Sequence, residues 1–472
     1  MTRTKIVATL GPASSTPEVI LELIKAGVDV FRLNMSHGTQ ESHRQTFRMI
    51  RKVVSESGLP PVAILGDLCG PKIRVGSLEG GQVELVTDSL VRLVTDEIIG
   101  DGSTFQVSYS GLGRGMKPGM AVLLADGMLE MEVLTARPGE VDCRVVKGGL
   151  LKEKKGVNFP GMPLDLPSLT EKDESDLVLL LEEQADYIAL SFVREPADVT
   201  ALKDRITASG CATPVVAKIE RPEAVKDLWE IVREADCVMV ARGDLGVEMP
   251  PELVPPIQKR IIRLCHQLRK PVITATQMLE SMVWNPRPTR AEVSDVAGAV
   301  FDGTDGLMLS EETAAGAYPL LAVSMMDKVA QEAERHLADA QYSSERVTGP
   351  MDAVASSACR VAEDLKAKAI ICFTRSGGTA LLLSKYRPST VIIAATPDPA
   401  VLRRMRLYFG VIPLMVDLRP DTDGMLWEVE RASLERGLVK EGDLVVLTLG
   451  IPPSQSGTNL MKVHRIGEPF GG

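Results

Sequence analysis

The chain has 472 residues, 44% of them hydrophobic and only 4% aromatic, with a formal net charge of −10 and a pI near 5.3. One hydrophobic core seldom serves so long a chain, so about two to four domains are expected, packed with aliphatic side chains and methionine rather than aromatic rings. The acidic balance argues against a nucleic-acid scaffold, because phosphate backbones are bound through electropositive surfaces, and a small anionic substrate would need a locally basic pocket.

From the N-terminus, three apolar runs read as strands, each followed by a helical pattern: KIVATLG, VDVFRLNMS and VAILGDL. Between Asp67 and Leu166 the rhythm changes to short Gly- and Val-rich stretches such as GQVELVTD, AVLLADG and EVDCRVVKGG, without a convincing helix. This reads as a small all-β domain inserted after the third strand. YIALSF, VVAKIE, CVMVARGD, PVITATQ and GLMLSEE then resume the alternation. Eight strand–helix units point to an α/β fold of the (β/α)8 barrel type, whose active site lies at the C-terminal strand ends. An inserted domain hinged over that mouth could close on substrate and exclude water. Beyond the polar AQYSSERVTGP the pattern restarts with AIICFTRSGG, STVIIAATP, GVIPLMV, DLVVLTLG and MKVHRI, a separate α/β domain with a mostly parallel sheet. The expected divisions are 1–70 with 164–340 for a discontinuous barrel, 71–163 for the inserted lid and 341–472 for the C-terminal domain.

Cysteines 69, 143, 211, 237, 265, 359 and 372 are scattered, odd in number and without zinc-site spacing, so reduced thiols in a cytosol are expected. The chain opens directly on a strand-like run, without an apolar signal stretch. No segment approaches the roughly 18 unbroken apolar residues of a membrane span. A cytoplasmic protein with no membrane or nucleic-acid partner is expected.

Several of these runs end in charge. Lys218 and Glu220 lie two residues apart, as do Arg242 and Asp244, and strand period 2 would put each pair on one face. One ammonium and two carboxylates at neighbouring strand ends suit Mg²⁺, which takes one or two protein oxygens and leaves its other positions to water and phosphate. Lys218 would then face a transferring phosphoryl group; a structural Lys218–Glu220 ion pair is the competing reading. In FRLNMSHG, Arg32, Asn34 and Ser36 fall on one face with His37 adjacent. The Arg fork fits phosphate oxygens and the other two offer oxygens to a cation or polar ligand, against a plain salt-bridge network at the barrel rim. Thr274 and Thr276 would share a face in PVITATQMLES and bring a hydroxyl to the same pocket, although threonine is common in any strand. Gly243 lets the backbone approach a ligand, and the amides of Gly243 and Asp244 could hold a carboxylate if a helix begins there; an ordinary turn is the alternative. Thr374, Arg375, Ser376, Gly377, Gly378 and Thr379 follow a strand and precede a helix. They either present amides and hydroxyls to a phosphate or make a glycine-rich connection. Lys155 sits where the inserted domain rejoins the barrel, in a solvated turn or facing the cleft. His43, His266, His336 and His464 show no ligand spacing and read as surface or packing residues.

The strings TKIVATLGPAS, FRLNMSHG, GPKIR, KKGVNFPG, LPSLTEKD, AKIERPEAV, MVARGDLGVE, TATQMLESM and RPTRAEVSDVAGAVFDGTDGLMLS follow one another in the chain. By them, and along essentially its whole length, the chain resembles the pyruvate kinase family. The resemblance implies a phosphotransferase that moves the phosphoryl group of phosphoenolpyruvate to ADP, giving pyruvate and ATP in the last step of glycolysis. It implies a barrel with an inserted lid and a C-terminal regulatory domain, in a homotetramer. It places Mg²⁺, or Mn²⁺ in its stead, on Glu220 and Asp244, and charge stabilisation on Lys218 and Arg32. The substrate carboxylate falls to the amides of Gly243 and Asp244 with Thr276, and protonation of the enolate to Thr276 and water. Asn34, His37, Arg74 and Lys155 match positions near the nucleotide or its companion cation. The loop Thr374 to Thr379 lies where relatives hold a phosphate of an allosteric effector, commonly a sugar phosphate or nucleotide. Phosphoryl transfer needs positioning and charge neutralisation more than covalent catalysis, which agrees with this division of labour.

Two departures from the family pattern matter. Many members need K⁺, held by residues matching Asn34, Ser36, Asp67 and the carbonyl of Leu68, and carry Glu where this chain has Lys72; Leu68 and Cys69 replace the usual Thr and Lys. An ammonium at Lys72 can stand in for the monovalent cation, so activity without added K⁺ is expected. Glu311 in LSEETA stands where many members have Gly and has no assigned role. Barrels that make or break carbon–carbon bonds beside a pyruvate enolate also use Mg²⁺ with Glu and Asp, yet need neither a lid closing on ADP nor a lysine in Lys218's position. A metabolite-binding regulator on an inactivated barrel is disfavoured by the intact set of Lys218, Glu220, Asp244, Arg32 and Thr276.

Overall fold

In the computed structural model, which describes residues 2–162, 164–337, 349–419, 421–450 and 458–469, eight parallel strands close a barrel. They are Lys5–Thr9, Val28–Asn34, Ala63–Asp67, Tyr187–Leu190, Val215–Ile219, Cys237–Ala241, Val272–Ala275 and Gly306–Leu309, the eighth pairing back with the first. Each is the body of an apolar run marked in the sequence. They are mostly apolar because both faces are buried, with charge gathered toward their ends at Arg32, Asp67 and Lys218. Val7, Val30, Leu65, Ala189, Val216, Met239, Ile273 and Met308 gather inside the barrel. Ile6, Phe31, Ile64, Ile188, Ala217, Val238, Val272 and Leu307 face outward, in one cluster with helix residues such as Ile20, Phe47 and Ile261. Alternation then fixes what appears at the barrel mouth: two residues beyond each interior side chain stand Thr9, Arg32, Asp67, Ser191, Lys218, Ala241, Ala275 and Ser310.

Between the third and fourth barrel strands the chain builds a separate β unit. Its six-stranded sheet runs in the order Val157–Asn158, Ala121–Leu124, Leu129–Arg137, Glu140–Lys147, Leu90–Val94, Thr104–Gln106, and Gln82–Leu85 pairs with Gly149–Lys152 beside it. Leu93, Phe105, Val122, Met131 and Val145 are among the residues of its own core. Among the described residues of this unit the only helical turn is Glu79–Gly81. Past the barrel, a five-stranded sheet runs Val411–Met415, Val391–Thr396, Ala369–Phe373, Leu444–Leu449, Leu460–Arg465, parallel except for the last strand. The junction expected at 340/341 lies outside the described residues, as does residue 163.

The C-terminal unit seals the end of the barrel opposite the polar ring. Leu407 joins the interior cluster, and a Cβ on Gly306 would lie 3.3 Å from Leu407 Cδ1, so glycine leaves room for the plug. Lys385 and Arg387 both pair with Asp305, Arg387 donates to the carbonyls of Gly303 and Thr304 at 2.9 and 3.1 Å, and Arg403 meets Asp186 at 2.7 Å. Among the described residues no helix is long and apolar enough to cross a membrane.

His266 is buried in this seam, with Nε2 2.8 Å from the Gly303 carbonyl. Burial, then Lys385 and Arg387, pushes its pKa down to about 3, against a smaller upward pull from Asp305. The folded value lies below the unfolded one, near 6.5, so neutral His266 contributes stability that is present above that pH and is lost as pH falls toward 3. A His266→Gln variant is expected to melt below the parent at neutral pH and to lose less between pH 6.5 and 4; parallel melting curves across that range would refute the assignment.

Candidate functional site

The inward positions at the C-terminal strand ends join into one polar network. Arg32 donates from Nε to Asp67 Oδ2 at 2.7 Å and from Nη1 to Thr9 Oγ1 at 3.1 Å. The Lys218 ammonium lies 2.8 Å from Glu220 Oε1, 3.4 Å from Asp67 Oδ1 and 2.7 Å from Ser191 Oγ. The Phe192 amide donates to Glu220 Oε2 at 2.6 Å. Lys218, Glu220 and Asp67 are all buried. Burial opposes charge on Lys218, but Asp67, Glu220 and Asp244 outweigh it and lift the pKa above the ordinary lysine value. Burial also pushes Asp67 upward, and there Lys218 and Arg32 prevail and hold the carboxyl below its usual range. At Glu220 burial prevails over Lys218, with like-charge repulsion from Asp244 added, and the pKa is raised.

Expectations about strand faces are corrected at the sixth and seventh strands. The sixth strand stops at Ala241, and Arg242 and Asp244 belong to the helix Arg242–Glu248. Helical spacing separates them: Arg242 donates to the carbonyls of Ala275 and Thr276 at 3.3 and 2.7 Å and to Asp295 at 2.7 Å, while Asp244 lines the cleft. The seventh strand stops at Ala275, so Thr274 and Thr276 do not share a face. Thr274 points behind the sheet to Thr304, 3.0 Å away, and Thr276 lies past the strand at φ +69°. Thr276 Oγ1 accepts from the Gly243 amide at 2.7 Å and donates to the Ala275 carbonyl at 2.6 Å. Gly243, Asp244 and Thr276 are thus neighbours, as the sequence suggested, by way of a helix start and a left-handed residue rather than two strands.

Glu220 and Asp244 are carboxylates close enough to repel, one of them already raised in pKa, and a divalent cation between them relieves that repulsion. Oxygen donors of this kind fit Mg²⁺ or Mn²⁺. Among the described residues no group of three or more His, Cys, Asp or Glu side chains gathers as a metal site, so an ion here would complete its shell with water and substrate oxygens.

Between barrel and inserted unit lies a cavity of about 370 Å³, lined by His37, Lys72, Arg74, Lys155 and Asp244 among others. Arg74 Nη1 donates to the Lys154 carbonyl at 2.9 Å. Burial, then Lys72, Arg74 and Arg32, lowers the pKa of His37, so the ring is neutral at neutral pH in a pocket of positive charge. That is the locally basic pocket an acidic protein needs for an anionic ligand. Among the contacts that tie the units together are Asn158 to Glu248 at 2.9 Å and Arg221 to the Met162 carbonyl at 3.1 Å.

Of the oxygens expected at a monovalent-cation site, those of Asn34, Asp67 and Leu68 have partners within the chain. Ser36 lies past the end of its strand, where its amide donates to Asn34 Oδ1 at 3.1 Å, so it does not share a strand face with Arg32 and Asn34. Asp67 is bound by Arg32 and Lys218, and the Leu68 carbonyl accepts from Ser191 Oγ at 2.8 Å. The Lys72 side chain is exposed at this mouth and helps to lower the pKa of both His37 and Asp67. Glu311 is exposed in the short helix Glu311–Ala314. Far from the mouth, Thr374 Oγ1 accepts from the Gly377 amide at 3.0 Å, the helix Gly378–Lys385 follows, and Thr379 Oγ1 lies 2.7 Å from Thr458 Oγ1. Not foreseen from the sequence were Ser191 and the Phe192 amide, both on the Lys218–Glu220 pair. Parity with Ala189 would have flagged the serine.

The family model of the pyruvate kinase barrel domain matches residues 1–323, and that of the pyruvate kinase alpha/beta domain matches residues 352–464. Pyruvate kinase 2 of Synechocystis sp. is 45% identical over 467 residues, covering 98% of this chain and 79% of the relative. A pyruvate kinase of Staphylococcus saprophyticus is 44% identical over 476 residues, covering 99% of this chain and 81% of that one. A solved pyruvate kinase from Cryptosporidium parvum superposes with a TM-score of 0.92 at 38% identity, covering 98% of this chain and 96% of the other.

Proposed function

The chain belongs to the pyruvate kinase family, and from that premise we propose that Lys218, Arg32, Glu220, Asp244, Gly243 and Thr276 carry the reaction at the barrel mouth. Membership makes it a phosphotransferase acting on phosphoenolpyruvate and ADP to give pyruvate and ATP, with a divalent metal requirement. The observation that carries the residue assignment is the buried Lys218–Glu220 pair, with Arg32 joined to it through Asp67 and Asp244 acting on both. Glu220 and Asp244 would hold the ion, Mg²⁺ or Mn²⁺. When bound, such an ion neutralises charge on the substrate oxygens it touches. Lys218 and Arg32 meet the charge that spreads over the phosphoryl oxygens as the phosphorus–oxygen bond of the enol breaks and the bond to ADP forms. The amides of Gly243 and Asp244 with Thr276 would take the substrate carboxylate, the Gly243 amide turning to it from Thr276 Oγ1 and the Thr276 hydroxyl from the Ala275 carbonyl. The enolate gains its proton from the Thr276 side through water, because a threonine hydroxyl is too weak an acid to act alone. His37, Arg74 and Lys155, lining the basic cavity, would face the nucleotide, with Asn34, whose carbonyl accepts from the His37 amide, next to them.

We place Lys72 in the role of the monovalent cation. Its ammonium acts on Asp67 and His37, and the Asn34, Asp67 and Leu68 oxygens that would hold K⁺ are engaged within the chain. The loop Thr374 to Thr379 is proposed to take the phosphate of an effector, on the support of its place between a strand and a helix start. A homotetramer and a cytoplasmic location complete the reading, the latter suited by seven free thiols. One assay tests most of this: pyruvate formation from phosphoenolpyruvate, ADP and Mg²⁺ in tetramethylammonium-balanced buffer. Turnover is expected without K⁺, with a changed substrate curve on adding a sugar phosphate or nucleotide. Near-zero rates restored by K⁺ would remove Lys72 from its role, and indifference to every effector would remove the loop from its own.

A further inference from the structure

We infer that the turn Ser191–Phe192, directly after the fourth barrel strand, is the positioning element for the Lys218–Glu220 pair, with the Ser191 hydroxyl setting where the ammonium sits. The inference rests on Lys218 facing the transferred phosphoryl group and adds the device that holds it there. Ser191 is 2% exposed and sits on the inward parity two residues beyond Ala189. Its oxygen receives Lys218 Nζ at 2.7 Å and donates to the Leu68 carbonyl at 2.8 Å, with Asp67 Oδ1 3.4 Å away. A hydroxyl has one proton to give; with that proton on Leu68, a lone pair is aimed at the ammonium. Glu220, Asp67 and Ser191 then account for the three donors of Lys218.

The next residue serves the acid. Phe192 donates its amide to Glu220 Oε2 at 2.6 Å from a backbone at φ +56°, a region that strains a residue other than glycine. Two consecutive residues therefore hold both members of the pair. The turn also packs against the point where the chain leaves the barrel for the inserted unit. A Cβ on Gly70 would lie 2.9 Å from Phe192 Cδ2 and 3.0 Å from Ser191 Cβ, so only glycine lets the two segments approach. Without the hydroxyl, the flexible lysine stem is free to settle between Asp67 and Glu220, and a shift of about 1 Å at a reacting group can cost about a hundredfold in rate.

The test compares Ser191→Ala, Ser191→Thr and Lys218→Met with the parent, rates being taken per folded molecule, together with Mn²⁺ affinity measured by electron paramagnetic resonance without substrate. Ser191→Ala is expected to lower kcat about 10–100-fold while KM for phosphoenolpyruvate and the Mn²⁺ Kd stay within about twofold, and Ser191→Thr to recover most of kcat. A kcat for Ser191→Ala within about twofold of the parent overturns the inference, as does a threonine variant no faster than alanine. If Lys218→Met is inactive while Ser191→Ala is not, only the positioning role falls. If Lys218→Met keeps the parent rate, the reading of Lys218 falls and this inference with it.

Discussion

Replacing Lys218 by methionine is expected to lower kcat by about a hundred- to a thousandfold while divalent-metal binding persists. Methionine keeps most of the length and apolar stem of lysine, so the loss is that of a charge, not of packing. That charge is held in a buried site by Asp67 and Glu220, at 3.4 and 2.8 Å, and its pKa is raised by them and by Asp244. It stays protonated throughout the pH range in which the enzyme would work, so it does not act as an acid or base and its contribution is electrostatic. A fixed positive charge aimed where negative charge grows costs no reorganisation during the reaction, which is why single groups of this kind are worth about 3–4 kcal/mol. Glu220 loses one partner in the variant but retains the Phe192 amide, and Asp244 is untouched, so the two oxygen donors remain for a metal. Steady-state rates with Mn²⁺ titration decide the matter. A variant that turns over near the parent rate removes Lys218 from the chemistry, and one that also loses the metal shows that the lysine was needed to shape the carboxylates instead.

How much of this was legible in the chain depended on whether a local period carried the information. The eight barrel strands were, because both-face burial makes each a mostly apolar run, and Lys218 was, because strand period 2 carries it inward; Glu220, one residue past that strand's end at Ile219, still meets it. Asp244 was found for a reason that proved incorrect: the strand ends at Ala241 and a helix start, not a shared face, brings its carboxylate to the mouth. Thr276 likewise reaches Gly243 through a left-handed backbone that no propensity of threonine would suggest. Ser191 escaped notice since a single hydroxyl at the end of YIALSF carries no charge to mark it. The seal at the other end was beyond reach altogether, because Leu407 enters the barrel from a separate unit about a hundred residues after the last barrel strand, and no period connects the two.

Asp67 shows what that parity means energetically, and Asp67→Asn is the second change expected to have a large effect. The sequence suggested only a ligand for a monovalent cation; its carboxylate is in fact the anion shared by Arg32, at 2.7 Å, and Lys218, at 3.4 Å. Asparagine keeps the shape and removes the charge, leaving the buried Lys218 and the partly buried Arg32 with Glu220 and Asp244 to balance them. Breaking one side of a buried ion pair typically costs about 3–5 kcal/mol, because what remains is an uncompensated charge out of water. The variant is therefore expected to melt well below the parent at neutral pH and to lose on the order of a hundredfold in kcat, as both phosphoryl-facing cations lose their anchor. The pH dependence carries a sign. The folded pKa of Asp67 lies below its unfolded value, so its contribution is complete above the unfolded carboxylate range, near pH 4, and fades as pH falls through the lower folded value. Parent and variant should thus differ by a constant amount from neutral pH down to about pH 5 and converge only in stronger acid. Melting curves that coincide at neutral pH, or a kcat within about threefold of the parent, would mean that Arg32 and Lys218 hold their places without Asp67, and the network would then be two independent pairs.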